Sequence, residues 1–410
     1  MFKPLHGLRP KKEYAKEVCC LPYDVMNRQE AYEMARDNPH SFLHIIRSEI
    51  DLDASVGAYS DAVYEKAAEN LSAFIRKGIL ARDARPCYYV YMQIMDGRSQ
   101  TGIFGLNGID DYKSGAIKKH ELTLPQKEED RIWNFLACRA HTEPIMLLYK
   151  SNTELERLLE KIKSGAPEYD FTDAQGISQQ LWVVDKKEDV ASIEHAFDGM
   201  DSVYIADGHH RAASSYRSGE MMRAQCPDCD GTEQFNFIMS VCISENDLMV
   251  MDYNRLVADT GKYGAAEFLA ALESDFTVTE KQDLYITSQK HTFSMYLEGR
   301  WYALEAKSGS FDENDPVKSL DASILQDNVF EKLLHIDDPR TSSRLSFVGG
   351  IRGYEALKDS VDSGGAKAAF GVFPVSVADL ISVADNGLIM PPKSTWFEPK
   401  LRSGLVIHEF

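Results

Sequence analysis

The stretch Val203-Tyr-Ile-Ala-Asp-Gly-His-His-Arg211 constrains the fold more than any other part of the chain. An apolar, β-prone run ends in Asp-Gly, and a helical pattern begins at once, with Ala212, Ala213, Tyr216 and Met221 on its apolar side. The backbone must turn from strand into helix within two residues, which Gly208 permits. Asp207 stands where an N-cap accepts hydrogen bonds from orphan amides. The first turn of such a helix presents N–H donors and a partial positive charge. Arg211 adds a forked cation, and His209 and His210 add two imidazoles, so the segment reads as a phosphate cradle. The alternative is a capped helix with a hydrated His-His-Arg first turn. That arrangement sets cations against the macrodipole, which is reasonable only if an anion lies between them. On the same reasoning, removing Arg211 should leave stability unchanged or slightly raised. A metal site on His209 and His210 is the weaker reading, because adjacent helical residues point about 100° apart and Arg211 repels a cation.

Elsewhere extended and helical patterns alternate, which predicts a mixed α/β (α+β) chain. Helical spacing marks 29–36, 53–76, 127–140, 152–163, 187–197, 209–224, 265–272, 320–334 and 377–384. Strands are predicted at 87–95 and 101–106, joined across Asp96-Gly97, and at 145–149, 180–184, 203–206 and 368–373. An antiparallel pair is expected between 235–244 and 247–257, and a hairpin over 291–306 through Gly299. Residues 390–400 look too rich in proline for regular structure.

The 410 residues are 44% hydrophobic and 27% charged, enough apolar material to exclude a disordered chain. Apolar runs such as 181–184 and 370–375 fall far short of the ~20 residues of a membrane span. The first ten residues carry no apolar signal region, so a cytoplasmic protein is expected. A net charge of −19 and the lack of a basic, aromatic-interleaved patch argue against nucleic acid and anionic lipid as partners. Oligomeric state is not legible. The 7 cysteines form no framework and are expected as reduced thiols. Cys226-Pro-Asp-Cys229 could be half a zinc site or a redox dithiol, but no second pair completes four ligands, and a loop with two thiols is the preferred reading.

Three further constellations bear on chemistry. In Lys118-Lys-His-Glu-Leu-Thr123, Glu121 lies beside Lys119 and His120 and could deprotonate a substrate hydroxyl, while Thr123 could meet a phosphate oxygen or cap the next helix. In Met390-Pro-Pro-Lys-Ser-Thr395, Lys393, Ser394 and Thr395 could contact phosphate, although no glycine-rich loop accompanies them; a rigid turn explains them equally. Leu21-Pro-Tyr-Asp-Val25 places a phenol and a carboxylate, Tyr23 and Asp24, in a proline-bounded turn, with Arg47 and Glu49 downstream.

Taken together, Tyr204–Arg211, Pro22–Val25, His120-Glu-x-Thr123, Asp130-Arg131, Met390–Thr395 and Pro399-Lys400 resemble a bacterial and archaeal family known as domain of unknown function ten-fifteen, over nearly the whole chain. Asp252-Tyr-Asn-Arg255 departs from the Pro-x-His-Arg common in that family. The Asp-Gly-His-His-Arg motif is also similar to that of free-serine kinases of the ParB/sulfiredoxin-like fold. That resemblance implies such a core over 85–257, with a mostly helical segment 1–84 packed on it and an α/β region 258–410 that returns the 390–400 loop. It implies phosphoryl transfer to free L-serine or a similar hydroxylated metabolite from ATP, ADP or pyrophosphate with Mg²⁺. Catalytic roles would fall to Glu121, Asp207, His209 and His210, and donor binding to Gly208, Arg211, Thr123, Lys393, Ser394 and Thr395. Tyr23, Asp24 and His120 would bind substrate, and Asp207 would hold Mg²⁺. A nucleotide-binding sensor without activity and a ParB-like DNA-associated regulator are the alternatives.

Overall fold

The computed structural model describes residues 2–410. They form two compact units. The first comprises the described residues up to Lys119, Thr123–Leu248 and Pro399–Phe410; the second comprises His120–Leu122 and Met249–Glu398. The class is mixed α/β, as the alternating patterns predict.

The first unit is built on a nine-stranded sheet: β1 (Phe2–Lys3), β2 (Tyr88–Met95), β3 (Arg98–Gly108), β4 (Ile117–Lys118), β5 (Ile145–Tyr149), β6 (Tyr169–Thr172), β7 (Ser178–Val184), β8 (Val203–Asp207) and β9 (Phe237–Ser244). Their order is β4-β8-β5-β9-β3-β2-β7-β6, with β1 on β3. Only β4–β8 and β5–β9 are parallel. β5 reads Ile-Met-Leu-Leu-Tyr and is buried at every position, the continuous apolar run of a strand covered on both faces. The β2–β3 hairpin closes at Asp96-Gly97, where both residues have positive φ (51° and 78°), the two-residue turn that Asp-Gly favours.

Five helices of this unit matter for the site: α1 (Asp61–Arg76), α2 (Pro125–Cys138), α3 (Thr153–Lys163), α4 (Lys187–Asp198) and α5 (His209–Ala224). α5 packs on α2, which also packs on α1. Val90, Ile103, Leu147, Ile205, Ala212 and Ile238 share the main core. A second core joins Leu8, Val18, Phe42 and Leu71 of the N-terminal segment to Cys138, Ala140 and Ile407. The segment 1–84 therefore lies in the same unit as the sheet, together with the C-terminal tail.

The second unit carries a six-stranded antiparallel sheet of β10 (Tyr253–Val257), β11 (Phe276–Lys281), β12 (Thr292–Leu297), β13 (Arg300–Ala306), β14 (Leu345–Gly349) and β15 (Ala368–Gly371), in the order β11-β13-β12-β15-β10-β14. Phe268, Phe293, Leu304, Val329 and Phe370 lie in its core.

Five sequence expectations are corrected. The pair 235–244 with 247–257 does not form: Met249–Met251 pairs with Trp396–Glu398, and β10 enters the second sheet. Strand patterning reports a half-buried surface and not which strand lies beside it. The same ladder gives the proline-rich 390–400 segment a short strand at its non-proline positions. The helix expected from residue 53 starts only at Asp61, and 320–334 divides into Asp321–Leu325 and a π-helical Gln326–Glu331. Finally, Cys226 and Cys229 are joined in a disulfide and are not two thiols, so neither offers a thiolate to zinc in this form. Among the described residues, no helix is long and apolar enough to cross a membrane.

Candidate functional site

The strand-to-helix turn forms as the sequence requires, but its charges are used differently from expectation. The β8–β5 register shifts between Ile205 and Asp207, which brings the chain off the sheet at Asp207. Gly208 is the residue that precedes α5, at φ 95° and ψ 31°, a left-handed conformation that glycine adopts without strain. A Cβ at this position would sit 3.1 Å from Nε of Arg211, so glycine is also needed for close packing on the guanidinium.

Asp207 is not the N-cap. One of its carboxylate oxygens accepts the Gly208 N–H at 3.0 Å, and the other accepts Nζ of Lys400 at 3.1 Å. Nη2 of Arg211 lies 3.9 Å from that second oxygen. Burial alone would raise its pKa; Lys400, Arg211 and His209 override this and hold the carboxyl well below its usual range. With its oxygens facing two cations and an amide, Asp207 does not fit the expected role of holding Mg²⁺.

Arg211 is buried rather than presented at the surface. Nη1 donates to the carbonyl of Pro144, while Nε has no hydrogen-bond partner. Desolvation would lower its pKa, but Asp24, Asp207 and Glu143 raise it, so the guanidinium stays charged. Glu143, two residues before β5, is fully buried. Its Oε1 accepts the Tyr23 N–H at 3.0 Å and the Ser403 hydroxyl at 2.9 Å. Its Oε2 makes no hydrogen bond and lies 3.8 Å from Nη1 of Arg131. Burial pushes the Glu143 carboxyl up, against the opposing pull of Arg211 and Arg131.

Arg131 projects from α2. Its Nη2 pairs with Asp130 at 2.8 Å, its guanidinium lies 4.1 Å from the centre of the Tyr23 ring, and its Nη1 has no hydrogen-bond partner. A cavity of about 250 Å³ adjoins this group, lined by Tyr23, Asp24, Arg47, Glu49, Lys127 and Arg131 among others. Arg47 is oriented by Glu49 at 2.8 Å and donates to the Tyr23 carbonyl at 3.2 Å. Asp24 is exposed at its mouth.

The remaining expected site residues take other places. Nε2 of His210 accepts the Leu124 N–H at 3.0 Å, which ties the start of α2 to the start of α5. His209 is buried. The hydroxyl of Thr123 donates to the Glu128 carboxylate, so it neither caps α2 nor points to a phosphate in this arrangement. His120, Glu121, Lys393, Ser394 and Thr395 belong to the second unit. There the Met390 N–H donates to the His120 carbonyl at 2.8 Å, Ser394 donates to the Pro391 carbonyl at 2.7 Å, and Lys393 turns through φ 61° with its ammonium 5.7 Å from the centre of the Tyr253 ring.

Glu143, Arg131 and Lys400 were not singled out from sequence as site residues. Arg131 and Lys400 stand within the Asp130-Arg131 and Pro399-Lys400 motifs, and Glu143 precedes a proline and a fully apolar strand. A charge this close to a fully apolar strand needs a partner wherever the fold buries it, which is the signal that could have found it.

A comparison with curated proteins found no match. Among solved structures, a conserved hypothetical protein from Pyrococcus furiosus is 14% identical with a TM-score of 0.34, covering 74% of this chain and 94% of that one. A free serine kinase mutant in complex with AMP is 13% identical with a TM-score of 0.36, covering 74% and 92%. SbnI with a C-terminal truncation, from Staphylococcus aureus, is 13% identical with a TM-score of 0.38, covering 74% and 86%. Likenesses this low leave the chemistry to be read from the residues themselves. Residues 2–323 match the family model described as a protein of unknown function, DUF1015, and the chain belongs to that family.

Proposed function

We propose that this protein is a small-molecule phosphotransferase. A nucleotide or pyrophosphate donor binds at the start of α5, and free L-serine or a similar hydroxylated metabolite accepts the phosphoryl group. The observation that carries this reading is a pair of buried guanidinium N–H groups without acceptors, Nε of Arg211 and Nη1 of Arg131. A buried donor left unpaired costs about 1–3 kcal/mol, which an anionic oxygen would recover. Arg211 follows the Gly208 turn, Lys400 lies beside it on Asp207, and the helix dipole favours an anion at the same place. Phosphoryl transfer asks mainly for such positioning and charge neutralisation.

The cavity at Tyr23 suits the acceptor. Asp24 can take an ammonium group, and Arg47 and Lys127 can take a carboxylate. Glu121 remains the proposed base, on the resemblance to free-serine kinases. Mg²⁺ would arrive with the donor's phosphates, since Asp207 is committed to Lys400 and the Gly208 amide.

The test is a screen of the purified full chain with Mg²⁺, the donors ATP, ADP and pyrophosphate, and the acceptors L-serine, L-threonine and L-homoserine, scored by ³¹P NMR for a phosphomonoester. Product from at least one pair is expected. Donor binding without product would replace this reading with a nucleotide sensor, and tight duplex binding with neither would favour the DNA-associated regulator.

A further inference from the structure

At the opposite end of β5 from Pro144 lies a second cavity, of about 430 Å³, within the range of small-molecule sites (roughly 300–1,000 Å³). Tyr149, the last residue of β5, lines it. The ring of Tyr149 is fully buried and packs edge-on against Phe197 at 5.5 Å, yet its hydroxyl has no hydrogen-bond partner. This is an exception on the sheet. Tyr88 donates to the Phe2 carbonyl, Tyr89 to Asp83, Tyr91 to Gln179 and Tyr169 to the Pro10 carbonyl. Buried tyrosine hydroxyls normally find a partner, so one that faces a cavity without one marks a place for a ligand group.

The charges around the hydroxyl are segregated. Asp247 and Glu156 are near enough to add to the effect of burial in raising the Tyr149 pKa. Asp247 is anchored by the Thr101 N–H at 3.1 Å and Glu156 by the Ser244 hydroxyl at 3.2 Å, which leaves each carboxylate with acceptor capacity. Lys163 is already occupied by Glu160 at 2.6 Å and by the Thr101 hydroxyl at 3.2 Å. The exposed Arg157 has no hydrogen bond or ion pair among the described residues. The cavity therefore has an anionic, hydroxyl-bearing floor and one uncommitted cation at its rim.

We infer that this cavity is a binding site for a free α-amino acid, with the ammonium group between Asp247 and Glu156, a polar group on the Tyr149 hydroxyl, and the carboxylate on Arg157. It is separate from the acceptor cavity at Tyr23 and does not depend on the phosphotransferase reading. A simple cation would leave Arg157 unused, and a simple anion would meet two carboxylates.

The test is isothermal titration of the full chain, without any phosphoryl donor, against each of the common L-amino acids, with ethylamine and acetate as half-ligand probes. At least one amino acid should bind one per chain, and neither half-ligand should match it. Tyr149→Phe and Arg157→Ala should each weaken that binding about 10-fold or more, the loss of one charged or buried hydrogen bond. Arg157 is exposed, so Arg157→Ala keeps the test informative even if Tyr149→Phe fails to fold. Absence of any amino-acid binding, equal binding of ethylamine, or binding kept at full strength in Arg157→Ala would each overturn the inference.

Discussion

Replacing Arg211 by alanine tests the buried charge cluster directly. The guanidinium is 3% exposed, donates to Pro144, and faces Asp207, Asp24 and Glu143. Removing one partner of a buried ion pair costs about 3–5 kcal/mol, because the remaining charge is uncompensated. Lys400 still holds Asp207 and Arg131 still faces Glu143, so the lower end applies, about 3 kcal/mol. With an m-value of about 3 kcal/mol per molar urea for a unit of this size, the midpoint should fall by about 1 M. The effect should depend on pH. The folded-state pKa of Glu143 is raised, chiefly by burial, so charging it costs stability as pH rises through that raised value; losing Arg211 increases the cost. Asp207 acts through a lowered pKa, so its stabilisation is present above the unfolded carboxyl range and is lost as pH falls; part of it belongs to Arg211. Glu143 makes the difference between wild type and variant greatest at neutral pH and smaller towards pH ~4, where it is protonated in both; the share carried by Asp207 persists there and is lost only at more acidic pH. Urea denaturation followed by circular dichroism at the two pH values measures this. An unchanged midpoint at pH 7 would refute the cluster as a structural element and restore the exposed-cation picture drawn from sequence.

Other outcomes follow from the same residues. Arg211→Lys keeps the charge but loses the planar fork, so donor affinity measured by titration should fall by about 1–3 kcal/mol while acceptor affinity changes much less. Glu121→Gln should lower turnover ~10²–10⁴-fold with donor affinity nearly intact if Glu121 is the base; unchanged turnover would move that role to another carboxylate. Before reduction, thiol titration of the unfolded protein should count five cysteines, Cys19, Cys20, Cys87, Cys138 and Cys242, and after reduction all 7. Because the disulfide closes a loop with a sequence separation of only 3, a Cys226→Ser, Cys229→Ser double variant should lose no more than about 2 kcal/mol.

The amino-acid sequence alone determined the local conformations. The apolar run at Val203 followed by Asp-Gly gave β8 and α5 nearly to the residue, and α5 spans His209–Ala224 as its spacing predicts. The helical spacing at 152–163 gave α3, which starts one residue later, with Asn152 as its cap accepting from Glu154 and Leu155. The Asp96-Gly97 turn gave the β2–β3 hairpin. Each of these follows from contacts within a few residues, which periodicity and turn chemistry encode.

Only the tertiary structure decided what those elements meet. A β-prone pattern at 247–257 could not reveal that its two halves join different strands, because pairing depends on partners distant in sequence. The same limit governs the candidate site. Arg211 was legible as a cation at a helix start, and this predicted an exposed group working against the dipole. Packing instead buries it beside Glu143, which precedes β5, and places Lys400 on Asp207 across a separation of 193 residues. Tyr149 was legible as a strand residue, but not as a buried hydroxyl without a partner. Whether a polar group is paired is set by what the fold packs around it, and burial makes that pairing matter far more than it would in water.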